Sequence, residues 1–366
     1  MGFRDAIATI RSRRDLLWLA IAIVVGLAAI RLMLPSIVRD YVNGRLHALA
    51  AYDGHVRDVD IGLWRGAYRA DGVEIVKKGA KQPTPFFSGD RVDFSVEWRS
   101  LLHGSLVSVA HFYRPVLNLV DDPNRKQSQL GGEEDWHAKL EEMFPFTFNT
   151  VEVHEGTITF RTPGIDTKDA LTAHEVNGII TNITNVEEAE KETFAEFRMT
   201  GDVLGGDAWV YGSAEPFTKS STFDLNLAVE QIQVPKLNPW LETYLNADAQ
   251  KGRADLYIEI ASADGRYKGY LKPLVKDVSF LSLDEPVKHP VKSLWEGALQ
   301  LASKVFENQP RDQVAAKIPF SGSVTGADTD ILPAIASVLR NAFVRAFTHS
   351  IDSSISLDDV KDTNPG

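Results

Sequence analysis

The stretch that decides the fold is Ser88–Val120, SGDRVDFSVEWRSLLHGSLVSVAHFYRPVLNLV. Within it Val92, Phe94, Val96 and Trp98 alternate with Arg91, Asp93, Ser95 and Glu97. Successive side chains of a strand point to opposite faces, so this spacing predicts a strand with one apolar and one solvated face. The segment WRSLLHG (98–104) interrupts the alternation, and a second apolar run follows to Val120, cut by Pro115. One-sided alternation of this kind suits an antiparallel sheet that is covered on one side only.

Outward from that stretch the texture recurs. Towards the N-terminus it predicts strands at Val56–Ile61 and Gly72–Val76, with Asp53-Gly54 as a turn before them. Towards the C-terminus it predicts Phe148–His154 and Thr157–Arg161, joined by a tight hairpin at Glu155-Gly156. Leu171–Ile183, Phe194–Thr200, Ala208–Ala214, Phe223–Val229, Leu256–Ile260, Arg266–Leu271, Asp277–Leu281 and Ile318–Val324 continue it. The total is about fifteen strands, bounded by turn residues. At about 4.8 Å between neighbours an open sheet would extend roughly 70 Å, so it must twist and curl. No helices alternate with the strands as βαβ units require.

The helical segments are few. Glu133–Phe144 and Pro290–Phe306 have helical spacing, and Asn238-Pro239 reads as a cap followed by proline at the first helical position. Near the end, Ile335, Val338, Leu339, Ala342, Phe343, Ala346 and Phe347 form one apolar stripe. Leu339, Phe343 and Phe347 in it are candidates for a gate over the sheet or a partner contact; an ordinary packed helix is the plainer reading. These helices cannot cover so long an apolar face. Either the sheet folds over on itself, or something apolar fills the trough.

Leu16–Leu34, LLWLAIAIVVGLAAIRLML, is long enough to cross a bilayer, with Arg31 placed to snorkel. Arg4, Arg11, Arg13 and Arg14 precede it, which predicts a cytoplasmic N-terminus. The length of the run, and the lack of a small-x-small site before Pro35, favour a retained anchor over a cleaved signal peptide. Ser12–Leu17 also partly resembles a twin-arginine export signal, which normally carries a more modest apolar core. Ile37, Val38, Tyr41, Val42, Leu46 and Leu49 continue with helical spacing. The predicted organisation is a basic tail at 1–15, the anchor at 16–34 and an amphipathic helix at 35–52. An elongated antiparallel β domain follows at 53–329, then an amphipathic helix at 330–350 and a polar tail at 351–366.

The net charge of the chain is −11, and beyond residue 34 there remain 34 Lys and Arg against 48 Asp and Glu. So acidic a body is repelled by phosphate backbones, which argues against nucleic acid as a partner. The chain has no cysteine, which excludes disulfides, thiolate metal sites and cysteine nucleophiles. Its nine histidines are scattered singly, without HxH or HExxH, so the sequence predicts no metal site. Asp58-Val59-Asp60 reads as two carboxylates on the wet face of a strand, and Gly201–Gly206 (GDVLGG) as a β-turn. No GxSxG elbow occurs. The expectation is a protein without catalytic residues or cofactor.

The helix after the anchor, then VRDVDIGLWRGAYRADGVEI, FSGDRVDFSVEWRSLLHGSLV and YRPVLNLV, resembles the opening of bacterial AsmA-like proteins. GTITF, STFDLNLAVEQIQVPKLNPWLETYLNADAQKGRADLYIEI and GSVTGADTDILPAIASVLRNAFVRAF resemble the branch catalogued as domain of unknown function 748. That resemblance implies a Gram-negative inner-membrane protein with its body in the periplasm. It also implies a long, taco-shaped β sheet with an apolar groove, serving phospholipid transport or outer-membrane maintenance, and no catalytic residues.

Val92, Phe94, Val96, Trp98, Ile158, Phe160, Leu225, Leu227, Ile258 and Ile260 are the candidates for lining a groove that holds acyl chains. The same residues also fit a closed core. In that case the protein is an envelope scaffold, with other envelope proteins rather than phospholipid as its partners.

Overall fold

Fourteen strands join into one sheet in the computed structural model. The described residues are 13–62, 66–80, 84–96, 106–121, 128–130, 146–162, 165–184, 194–215, 222–245, 248–263, 265–280, 313–315 and 317–323. The strands are β1 (Tyr52–Gly62), β2 (Ala67–Lys77), β3 (Phe87–Val96), β4 (Leu106–Tyr113), β5 (Val116–Val120), β6 (Phe146–Arg161) and β7 (Leu171–Thr184). They continue as β8 (Ala195–Val203), β9 (Gly206–Ala214), β10 (Phe223–Gln233), β11 (Ala249–Ala263), β12 (Arg266–Phe280), β13 (Gln313–Ala315) and β14 (Ile318–Ser323). Neighbours in space are mostly neighbours in sequence, so the protein is mainly β and its sheet almost wholly antiparallel.

The one departure is a parallel junction. Pro115 splits one line of chain into β4 and β5, and β6 runs parallel to both. A parallel pair needs a crossover of a dozen residues or more, and residues 121–145 supply it. Simple alternation in the sequence cannot distinguish this arrangement from a hairpin.

Several local expectations are corrected. Asp53-Gly54 lies inside β1 rather than in a turn. Glu155-Gly156 is no hairpin, because β6 runs through it and pairs with β7 on both sides, with shifted register. Positive φ occurs at Glu155 (54°), at Glu175 (51°) and Gly72 (63°) on nearby strands, and at Arg114 (47°) between β4 and β5. The Arg114 N–H donates to His154 O at 2.8 Å, and the Glu155 N–H to Asn177 Oδ1 at 3.0 Å. These residues form a transverse seam, with bulge-like register shifts at Glu155 and Glu175, the usual device for bending strands. β12 is one strand through Pro273, which falls opposite the gap between β13 and β14, where a missing N–H does little harm. GDVLGG does form a tight turn, with Leu204 at φ 56° and Gly205 at 73° between β8 and β9.

Among the described residues, two α-helices of very different length flank the sheet. Helix α1 (Arg13–His47) joins the apolar run and the amphipathic stretch, continuing through Pro35. Its first part, from Leu16 to Ile30, is exposed, and a window of mean hydropathy 2.5 makes it a candidate membrane span. Its second part packs Leu34, Val38, Val42 and Leu46 on Val56, Val59 and Ile61 of β1. Asn43 also clasps the edge strand, accepting from the Val56 N–H at 2.7 Å and donating to Val56 O at 3.2 Å. A side-chain amide thus takes the place of a neighbouring strand and blunts a pairing edge.

The short helix α2 (Asn238–Leu245) follows a 3-10 turn at Val234–Leu237. Asn238 has helical dihedrals, and its side chain exchanges two hydrogen bonds with Ala249 (2.9 and 3.0 Å) instead of capping the helix. The expected helices at 133–144, 290–306 and 330–350 lie outside the described residues.

Candidate functional site

Register across the sheet turns the strand alternation into a surface. One row of directly paired residues runs Ile61, Tyr68, Phe94, Ala110, Val151, Ile180, Phe197, Gly212, Leu225, Ile260, Gly269, Phe320. Two residues along each strand lies a second: Val59, Ala70, Val92, Phe112, Val153, Gly178, Met199, Val210, Leu227, Ile258, Leu271, Ile318. Paired residues and residues two apart share a face. Neither row holds a charged residue or an amide, and its one hydroxyl belongs to Tyr68.

Beyond the seam a third row continues the surface through Gly54, Ile75, Phe87, Leu117, Ile158, Ala173, Val203 and Gly206. The glycines in the rows have a steric reason. A Cβ on Gly212 would stand 2.8 Å from the Phe197 ring, and one on Gly269 would stand 2.9 Å from Phe320. Large rings lie over neighbouring glycines, which keeps the surface smooth.

Closure of this surface varies along the sheet. At the β10–β14 end Phe223, Leu225, Ile258, Ile260, Leu271 and Phe320 form a closed cluster, with Ile260 only 2% exposed. Across β3–β8, Phe94, Phe112, Val153, Ile158, Ile180 and Met199 are half-buried. Among the described residues the helices pack mainly on β1 and beside β11, so these middle strands form an apolar trough between two covered flanks.

The two ends of the trough differ. Arg31 pairs with Asp60 at 3.6 Å while Asn43 reaches Val56, so α1 runs antiparallel to β1. Its exposed apolar segment therefore projects beyond the end of the sheet at Gly62. At the opposite end Trp240 stacks on Phe160, with ring centroids 6.4 Å apart, and its Nε1–H donates to Asp169 O at 3.0 Å. Tyr52, Leu49 and Phe86 fill the neighbouring corner. At the end near the projecting helix, a depression of about 510 Å³ is lined by Arg31, Asp60, Arg69, Asp93, His111 and Tyr113 together with Tyr68 and Phe94, most of them from the polar face. Apolar and charged groups meet there.

The sequence candidates fall into distinct environments. Val92, Leu225, Ile258 and Ile260 are buried, while Phe94, Leu227, Ile158 and Phe160 are half-buried. Val96 belongs to β3, but its side chain lies outside the described residues, as do Trp98, Leu339, Phe343 and Phe347. Reading each strand alone missed Phe112, Val153, Ile180 and Met199, which register places in the same two rows as Phe94 and Val92. The signal was present as V-x-V at 151–153 and F-x-M at 197–199.

The other face is polar and ladder-like. Asp60, Arg69, Asp93, His111 and Glu152 pair in turn across β1, β2, β3, β4 and β6. Arg69 Nε donates to Asp93 at 3.1 Å, and that hydrogen bond raises the arginine pKa further. At the closed end Asp255 is buried and accepts from Lys276 Nζ at 2.7 Å and from the Gln231 N–H at 2.9 Å. Burial pushes its pKa up, but those two hydrogen bonds and the lysine charge outweigh it, and the net shift is downward. The Tyr257 hydroxyl donates to Glu230 at 2.6 Å, which with burial pushes its pKa up to about 12.

Comparison of the sequence with known protein families and with curated proteins matched none of either.

Proposed function

We propose that this chain is a non-enzymatic, membrane-anchored lipid-holding protein. Its apolar trough takes up acyl chains in the course of phospholipid transport or outer-membrane maintenance. The observation that carries the reading is the pair of unbroken apolar rows across twelve strands, in which Phe94, Phe112, Val153, Ile180, Phe197 and Met199 of β3–β8 stay half-buried. An acyl chain laid there loses contact with water at roughly 25 cal/mol per Å², or about 0.8 kcal/mol per methylene, with no polar chemistry required. A half-buried apolar surface that continues over so many strands suits a ligand or a partner.

The trough is filled at its Trp240 end and meets charged groups at the end from which α1 projects. With α1 retained in the inner membrane and the body in the periplasm, that second end faces the bilayer. Acyl chains enter from there, with Arg31 and Asp60 close to the entrance. This arrangement agrees with the AsmA-like resemblance of the strand motifs. Other envelope proteins would receive the lipid.

The closed β10–β14 cluster favours a second reading, an envelope scaffold whose core needs no ligand. Native mass spectrometry of the full chain, released from a lipid-preserving polymer disc, separates the two. The lipid reading expects bound phospholipid that is lost in Ile180→Asp while the β circular-dichroism signal is retained. A folded, lipid-free wild type would overturn it in favour of the scaffold.

A further inference from the structure

The outer face of the parallel junction brings together three groups that are far apart in sequence. His111 stands on β4, and Glu152 and His154 stand two residues apart on β6. His111 and Glu152 are direct cross-strand partners, and His154 is paired with Tyr113 in the next register position on that face. His111 Nδ1 lies 3.2 Å from Glu152 Oε2, and His154 Nε2 lies 3.2 Å from the same oxygen. One ligand atom from each residue fits within 4.8 Å of the other two.

We propose that His111, Glu152 and His154 bind a divalent transition metal, best fitted by Zn²⁺, which staples β4 to β6. Zinc takes imidazole nitrogen and carboxylate oxygen at about 2.0–2.2 Å in a tetrahedron, which sets ligand atoms about 3.3 Å apart. The two observed separations of 3.2 Å match that spacing. Imidazole ligands select zinc, copper, nickel or iron over magnesium or calcium.

A second observation points the same way. His154 Nε2 is shielded from solvent and makes no hydrogen bond, although the Glu152 oxygen is close. The ring is held in place by Tyr113, stacked at 5.0 Å, and Tyr113 in turn carries Arg91 over its ring at 3.9 Å. Asp93, the cross-strand partner of His111, is engaged by Arg69 and Arg91, so it stays outside the ligand set. Three protein ligands leave one position for water.

The location gives the metal a task. Parallel pairing is slightly weaker per residue than antiparallel pairing, and β6 runs parallel to β4 and β5. The same segments present Ala110, Phe112, Val151 and Val153 to the trough, so the metal would stiffen its wall from behind. Nothing in this inference depends on the trough holding lipid.

The test uses the full chain in detergent micelles, stripped with EDTA and titrated with Zn²⁺ by calorimetry, with metal content read by mass spectrometry. The expected result is one zinc per chain and a higher melting temperature of the β signal. Loss of an outer-shell partner in a metal site typically weakens binding about 10–100-fold, so His111→Ala should weaken it by more than about 100-fold. Glu152→Gln preserves shape and should do the same, with the metal-free melting temperature as the check on folding. His174→Ala, an exposed histidine on β7, should leave binding unchanged. Absence of stoichiometric zinc, or equal affinity in folded Glu152→Gln, would overturn the assignment.

Discussion

The β10–β14 end and the β3–β8 span are built from the same two apolar rows, yet one is closed and the other half-open. At the closed end the residues of β9–β12 and β14 pack into one buried cluster, joined by the Tyr267–Phe320 ring contact at 6.3 Å. On its solvated side that end also carries the Asp255–Lys276 pair and the Tyr257–Glu230 hydrogen bond. Across β3–β8 the rows run on with comparable side chains, but Phe94, Phe112, Ile180 and Met199 keep part of their surface. The difference teaches that alternation specifies a face, and that closure depends on what lies over that face.

The comparison breaks most readily at the closed end. Ile260→Ala removes a side chain 2% exposed and should cost about 2–5 kcal/mol, read as a fall in thermal or urea stability of the β signal. Asp255→Ala should follow, at about 1–3 kcal/mol, because it strands the Gln231 N–H and the lysine that the carboxylate satisfies. The pH dependence has a definite sign. With its folded pKa below the ordinary carboxylate value, Asp255 contributes stability above that value and loses it as pH falls through the depressed one. An acid titration of stability should therefore be flatter in Asp255→Asn.

Tyr257→Phe should cost about 0.5–1.5 kcal/mol at neutral pH, the usual net worth of one hydrogen bond. Its raised pKa means that the stabilisation is whole below pH 10 and lost as pH rises through about 12. The variant should lose that alkaline dependence. Of the two isoleucine truncations the smaller effect belongs to the trough. Ile180→Ala, at a half-buried side chain, should cost less than Ile260→Ala, about 1–2 kcal/mol, since part of its surface still meets water in the folded protein. A cost equal to that of Ile260→Ala would erase the distinction between the two regions.

Much of this was legible in the sequence, for a physical reason. The period of two in VDFSV and in FDLNLAV survives into the structure because each strand turns one face inward over most of its length. The apolar helix was equally plain. The seam was hidden, because Glu155, Glu175 and Arg114 adopt positive φ where nothing in their residue type demands it. The parallel junction was hidden because it is set by the crossover rather than by β4, β5 or β6. The His111–Glu152–His154 cluster depends on that junction, so only the E-x-H spacing on β6 hinted at it. Closure at β10–β14 was beyond reach for the reason given above: Leu225 and Ile180 look alike in sequence.

The central claim is most directly tested by one pair of neighbours on β7. Ile179 points outward and is 40% exposed, and Ile180 sits in the inner row beside Val151 and Phe197. A photo-reactive amino acid placed at each position in turn, in the full chain within cells, reports what each face touches. The account predicts phospholipid adducts at position 180 and none at 179. Equal labelling at both, or labelling at 179 alone, would contradict an acyl-filled trough.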